Sequence, residues 1–340
     1  MTSTASLELG LRLNTHCDAD IDTSRQRVEK WVKDRGLTSS EESFSWYCAW
    51  DTARFVGNSY PHATPEYGMD LVGKLMAVAI LLDDQVDSSS SAAECASHIA
   101  PFLQIVHAGG EVAISPADRP LHYAFAEVIR ESRTHASGAW WQRAAQNWEI
   151  SLIAVTHEVV NRNLRGAPAP HDVYLDIRRG SGFMGPFLDI LESAAAFESP
   201  ALAYYSPHIM LMRRITVDLG NFINDIFSLD KEIAYGQYDN LVLVLREEGD
   251  VTLGEATQTA LNIVHARAHR FLELRAELPD VCTHLGLTES ERERTLRYAD
   301  ALEMWVAGYE PWHRTSLRYR QSLVRRPVTG PWACDDLLGI

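Results

Sequence analysis

The stretch Leu71-Val72-Gly73-Lys74-Leu75-Met76-Ala77-Val78-Ala79-Ile80-Leu81-Leu82 runs unbroken into Asp83-Asp84-Gln85-Val86-Asp87, and four serines follow. Residues 71–82 are apolar almost all the way round a helix, which predicts a buried helix rather than a surface one. Three carboxylates at the C-terminal end of such a helix are unfavourable. The helix dipole places partial negative charge there, like charges at i and i+4 repel, and desolvation adds to the cost. A divalent cation would offset all three effects. Asp83 and Asp87 share a face, and hard oxygen ligands suit Mg²⁺, which keeps waters and bridges to phosphate. The plainer alternative is that the acids mark where the helix emerges into solvent.

Working outward, the breaks fall at 36–40, 87–91, 109–120, 166–170, 180–185, 236–240 and 326–331. Between them apolar residues recur at helical spacing, as in Trp148, Ile150, Leu152, Ile153, Val155, Val159 and Val160. Ser206-Pro207 reads as an N-cap with proline in the first helical position, and Gly236 as the stop of the same helix. The only strand-like run is 241–245, which has no partner run. The expectation is an all-α bundle in one domain, residues 1–340, with about 1–20 and 326–340 as irregular arms.

The 340 residues are 46% hydrophobic and 23% charged with a formal net charge of −15, so a nucleic-acid partner is not expected. Five scattered cysteines without a C-x-x-C pattern fit a reducing compartment with neither a disulfide framework nor a zinc site. No signal peptide is visible and no apolar run approaches the roughly 20 residues a membrane span needs. The expectation is a cytoplasmic protein with no membrane partner, and a homodimer is the default assembly.

A second polar pattern lies in Asn224-Asp225-Ile226-Phe227-Ser228-Leu229-Asp230-Lys231-Glu232. Asn224, Ser228 and Glu232 stand at i, i+4 and i+8, each about 6 Å from the next along one helix face. An amide oxygen, a hydroxyl and a carboxylate so arranged can chelate one hard cation. The same residues would also serve as an ordinary solvated face.

Taken together, Asp83-Asp84-x-x-Asp87 and, about 140 residues later, Asn224-Asp225-x-x-Ser228-x-x-Lys231-Glu232 resemble the paired metal motifs of class I terpene synthases. Arg54-Phe55 and Tyr60-Pro61 look like the family's lead-in to the first motif. Tyr174-Leu175-x-x-Arg178-Arg179-Gly180-Ser181-Gly182 resembles its diphosphate-sensing segment, and Asn240-Leu241-Val242 the stretch after the second motif. Trp312 and Arg318-Tyr319 match its late tryptophan and Arg-Tyr pair.

The resemblance implies an isoprenoid diphosphate gripped by three Mg²⁺ ions in the mouth of a helical bundle. Asp83 would be the main ligand of its motif, with Asp84 and Asp87 more peripheral, and Asn224, Ser228 and Glu232 would hold the other site. Arg178, Lys231, Arg318 and Tyr319 would donate to the diphosphate. Ser181 would act as linker and Gly182 as effector, its carbonyl facing the ionising substrate after Gly180 and Gly182 break the helix. Where family members often carry aromatics one turn before the first aspartate, this chain has Ala79 and Ile80. Phe55, Phe183, Phe187 and Trp312 are candidates for the pocket wall, Trp312 foremost.

Rival patterns fail. Gly68-x-x-x-x-Gly73-Lys74 imitates a phosphate-binding loop, but Leu75 replaces the Ser/Thr and no strand precedes it. His265 and His269 lack a third ligand, and Asp18, Asp20 and Asp22 read as a solvated arm. A chain-elongating prenyltransferase would need a second aspartate-rich motif, and a protonating cyclase a D-x-D-D motif; neither is present. A non-catalytic helical scaffold remains the rival of another class. By family habit, the chain's size points to farnesyl diphosphate and a sesquiterpene; small Ala77 and Ala79 leave room for geranylgeranyl diphosphate.

Overall fold

The computed structural model describes residues 7–12, 18–87, 89–114 and 119–319, apart from the side chains of residues 18, 19, 87 and 235. The expected arm 326–340 lies outside them, as do the Asp18 and Asp87 side chains. The helices are α1 (Asp18–Asp34), α2 (Glu41–Ala49), α3 (Thr52–Ser59), α4 (Tyr67–Asp87), α5 (Ala92–His107), α6 (Pro120–Ser132) and α7 (Gly138–Arg165). Then come α8 (His171–Ser181), α9 (Met184–Ser193), α10 (Ala201–Tyr204), α11 (Pro207–Tyr235), α12 (Leu241–Gly249), α13 (Leu253–His284) and α14 (Glu289–Thr315). A short 3₁₀ turn follows at Leu317–Tyr319, and no strand occurs among the described residues.

Helix α4 is the buried rod its composition predicts: of residues 71–82 only Lys74 escapes burial. Lys74 runs its stem outward and pairs with Glu131 at 2.8 Å. Helix α4 packs on α1, α3 and α6; α7 on α5, α8 and α9; α11 on α13, α14, α9 and α12; and α14 closes back onto α3. The long helices thus ring a hollow interior. Their starts are set by side-chain caps: Ser137 for α7, Ser206 with Pro207 for α11, and full capping boxes at Thr252/Glu255 and Thr288/Glu291. Gly236 takes the left-handed conformation that ends α11, as expected.

The strand-like run 241–245 is the start of α12, in keeping with the all-α expectation. Asn240 caps it by accepting from the Val242 N–H at 2.8 Å, and residues 241–244 are buried against α8, α11 and α13. Tertiary burial overrides the β-preference of Leu and Val where no strand offers a ladder. Of the expected N-terminal arm, residues 7–12 have no regular secondary structure. Helix α1 begins at Asp18, and Asp22 pairs with Arg25. Before it, the Arg12 backbone N–H and guanidinium both donate to Glu303 of α14, at 3.1 and 3.0 Å.

Candidate active site

Helix α4 delivers Asp83 and Asp84 to one end of the hollow. Asp84 is buried, whereas the Asp83 side chain is 46% exposed. Arg318, from the 3₁₀ turn after α14, grips Asp84 with both terminal nitrogens at 3.1 and 2.6 Å and reaches Asp83 at 3.3 Å. Its guanidinium also lies over the Trp50 ring, 5.0 Å from the centroid. The charge at this helix end is therefore offset in part by an arginine more than 200 residues away in sequence.

Helix α11 delivers the second set. The Ser228 hydroxyl donates to Glu232 Oε1 at 2.7 Å, and the Asn240 amide donates to Glu232 Oε2 at 2.7 Å. Asn224 Nδ2 faces His313 Nε2 and the Tyr319 hydroxyl, each at 3.2 Å, while its Oδ1 accepts from Arg178 at 2.8 Å. Burial pushes His313 down to about 3 and keeps it neutral. Its Nδ1–H is committed to the Tyr309 carbonyl at 2.9 Å, so Nε2 is left to accept from Asn224. The amide is thereby held with its oxygen toward Arg178. Burial, then the Asp225 charge, pushes the Glu232 carboxyl up to about 7, against the pull of Arg178, Ser228 and Asn240.

Asp225, beside the stripe in sequence, points the other way. It is fully buried and accepts from Tyr174, from Arg178 Nε at 3.0 Å and from the Leu241 N–H at 2.7 Å. It ties α8, α11 and α12 together at the site's floor.

Two cavities meet at this point. The polar one, about 720 Å³ with its open mouth, is lined by Asp83, Glu158, Arg162, Arg178, Asn224, Ser228, Lys231, Glu232, Asp239, Arg318 and Tyr319, among others. The apolar one, about 580 Å³ measured the same way, is walled by Phe55, Met76, Ala79, Ile80, Phe183, Met184, Phe187, Trp305 and Tyr309. Asp83, Arg178, Asn224, Arg318 and Tyr319 line both. A polar head and a hydrocarbon tail of one molecule would divide between them at that seam.

Several sequence-read residues sit differently from expectation. Trp312 does not line either cavity. It is fully buried, donates to the Trp50 carbonyl at 2.8 Å, and packs edge-on against Tyr319 with a 5.6 Å centroid separation. Phe55, Phe183 and Phe187 do line the apolar cavity, together with Trp305 and Tyr309, which the sequence reading did not name. The signal for the latter two is their i, i+4 spacing on α14, one turn from His313.

Gly180 does not break its helix either. It lies within α8, where an added Cβ would come 2.5 Å from Ala154 Cβ; its smallness lets α8 press against α7. The break comes at Gly182 and Phe183, with Phe183 left-handed at φ 57°. At Gly182 an added Cβ would stand 1.9 Å from Asn221 Oδ1, so a larger residue would have to displace the Asn221 amide. Ser181 lines the apolar cavity and donates its hydroxyl to Glu158 of α7.

No three His, Cys, Asp or Glu side chains converge as a metal cluster among the described residues. The α11 stripe fits a hard cation in another way: it gathers one amide oxygen, one hydroxyl and one carboxylate, the last held uncomfortably in a partly dehydrated site. Asp83 faces it across the polar cavity.

Residues 74–270 match the family model described as terpene synthase family 2, C-terminal metal binding. The chain is 30% identical to pristinol synthase of Streptomyces pristinaespiralis over 97% of its own length and 89% of that protein. It is 29% identical to the (2E,6E)-farnesyl diphosphate cyclizing 7-epi-alpha-eudesmol synthase of Streptomyces viridochromogenes, over 97% of this chain and 98% of the relative. The crystal structure of germacradien-4-ol synthase from Streptomyces citricolor superposes with a TM-score of 0.81 at 28% identity, covering 92% of this chain and 99% of the other. No helix among the described residues is long and apolar enough to cross a membrane.

Proposed function

Because this chain belongs to the terpene synthase family, we propose that it ionises and cyclises farnesyl diphosphate with the help of Mg²⁺, releasing diphosphate and a sesquiterpene. The observation that carries this reading is the seam itself. Asp83 and the Asn224–Ser228–Glu232 stripe face one polar cavity, and that cavity opens through shared residues onto an aromatic-walled apolar one.

In this reading Asp83, Asn224, Ser228 and Glu232 hold the metal, with Asp84 and Asp87 more peripheral. Bound there, Mg²⁺ supplies electrostatic stabilisation of the charge that develops on the departing diphosphate. Arg178, Lys231, Arg318 and Tyr319 donate hydrogen bonds to the same oxygens. For Arg178 this means leaving its contacts with Asn224 and Asp225; for Arg318, leaving Asp83 and Asp84. His313 keeps the Asn224 amide oriented.

On the apolar side, Phe55, Phe183, Phe187, Trp305 and Tyr309 exclude water and offer ring faces to the allylic cation. Trp312 acts from behind, by fixing Tyr319 and Phe55, rather than by touching substrate. The Gly182 carbonyl lies at the break, with Ser181 linking it to Arg178. Ala79 widens the wall nearest Asp83, which keeps geranylgeranyl diphosphate as the second substrate reading.

The test is incubation of purified protein with C10, C15 and C20 prenyl diphosphates, with Mg²⁺ or with EDTA, followed by mass spectrometry of the volatiles. The expected result is a cyclic C15 product formed only with metal. Consumption of the C20 substrate alone supports the second reading, and no consumption of any substrate overturns both.

A further inference from the structure

We propose that Glu158 of α7 is a positioning residue that couples Arg178 to Ser181 and so sets the backbone break at Gly182–Phe183. The inference rests on the roles proposed above for Arg178, Ser181 and Gly182, and extends them to a residue on a different helix.

The geometry around one oxygen is the starting point. Glu158 Oε1 accepts the Ser181 hydroxyl and stands 3.7 Å from Arg178 Nη1. Ser181 is uncharged and cannot itself form an ion pair with the guanidinium. The carboxylate does so on its behalf, bonded to one and facing the other. Glu158 lines the polar cavity and Ser181 the apolar one, so this single side chain spans the seam.

The surroundings make the link stiff. One turn before Glu158, Ala154 faces Gly180, where an added Cβ would come 2.5 Å from the Ala154 Cβ, so α8 lies close against α7. On the far side, the Asn221 amide of α11 donates to the Arg178 carbonyl at 2.9 Å and fills the space beside Gly182. With α7 and α11 both in contact, Glu158 gives the last turn of α8 a side-chain link to what Arg178 binds. When Arg178 turns toward an anion, the charge on Oε1 is less well compensated, and its hydrogen bond from Ser181 strengthens. That draws the Ser181–Gly182 segment toward α7.

The experiment compares wild type with Glu158→Ala, Glu158→Gln, Glu158→Asp, Ser181→Ala and the Glu158→Ala/Ser181→Ala double variant, using farnesyl diphosphate and Mg²⁺. Expected for Glu158→Ala is a kcat at least about tenfold lower, KM within about threefold, and a larger share of acyclic or early-quenched products. Glu158→Gln still accepts from Ser181 but has no charge to pair with Arg178, so it folds like wild type yet keeps the lowered kcat and altered products of the alanine variant. Glu158→Asp keeps the charge but falls short of Ser181, and behaves like the alanine variant even if that variant folds poorly. The double variant is no worse than the worse single one.

Thermal shift with inorganic pyrophosphate and Mg²⁺ is retained in every Glu158 variant that folds. The proposal is overturned if Glu158→Asp keeps wild-type kcat and products, if the two alanine effects multiply, or if the pyrophosphate shift vanishes, which would make Glu158 a binding group. Wild type that turns over no prenyl diphosphate fails the proposed function itself. An active wild type with indifferent Glu158 variants fails only this inference.

Discussion

The acidic end of α4 and the polar stripe of α11 face one cavity, yet they are built in opposite ways. On α4, Asp83 and Asp84 are held chiefly by Arg318, which comes from a 3₁₀ turn near the end of the described chain. On α11, Asn224 is fixed by His313, Tyr319 and Arg178, and Glu232 by Ser228 and Asn240. Both acids of the first set share Arg318, whereas Asn224 and Glu232 are held by separate partners, of which Arg178 alone is drawn away with the diphosphate. The α11 stripe is thus the more preorganised half of the site, and the α4 end is the half that rearranges when Arg318 is drawn away.

That contrast can be broken or sharpened by substitution. The largest effect belongs to the locked half: Asn224→Ala or Glu232→Ala is expected to lower turnover on the order of 10³-fold, because a fixed stabiliser of developing charge is lost. Release of diphosphate under saturating substrate measures it, with near-normal circular dichroism as the control.

Next, Asp83→Ala and Asp84→Ala should separate. Asp83→Ala costs about 10²-fold in turnover with little change in stability. Asp84→Ala leaves the buried Arg318 guanidinium without its closest partner, and should cost about 3 kcal/mol in denaturant unfolding. If both variants lose only activity, Arg318 is not the restraint described here.

A smaller effect tests what fixes Asn224. His313→Phe keeps the ring stack with Tyr319 but removes the acceptor, and should weaken Mn²⁺ or Mg²⁺ affinity about tenfold in calorimetry with pyrophosphate. Unchanged affinity would mean that Tyr319 and Arg178 suffice.

The smallest concerns the scaffold, as a control on acid sensitivity. Burial, then Arg119 and His98, pushes His122 down to about 4. Its folded value lies below the unfolded one near 6.5, so the unfolded chain binds more protons between those values. Stability is therefore intact above about pH 6.5 and falls as pH drops toward 4. His122→Gln should lose less melting temperature than wild type between pH 7 and pH 5. An identical loss would place the acid sensitivity elsewhere, the cavity carboxylates included.

The sequence made the helices and the two metal-type motifs legible because both rest on local spacing. Twelve nearly apolar residues ending in carboxylates specify a buried helix with an awkward end, and i, i+4, i+8 specifies a face. What it hid depends on contacts distant in sequence. Arg318 as the partner of Asp84, and His313 as the anchor of Asn224, emerge only when α14 folds back beside α3 and α11 and the turn after it reaches the end of α4. Trp312 and Tyr309 are three residues apart on one helix, and only packing decides that Tyr309 faces the cavity while Trp312 faces Trp50. The run 241–245 looks strand-like because its β-rich composition carries no record of the Asn240 cap or of the helices that bury it.

The most direct test is a crystal structure with Mn²⁺ and inorganic pyrophosphate, read by anomalous scattering. The account predicts metal peaks in the polar cavity bonded to Asp83 on one side and to Asn224, Ser228 and Glu232 on the other, with Arg178 and Arg318 turned to the pyrophosphate. Metal bound away from both helices, or an empty stripe with Arg318 still clasping Asp84, would contradict it.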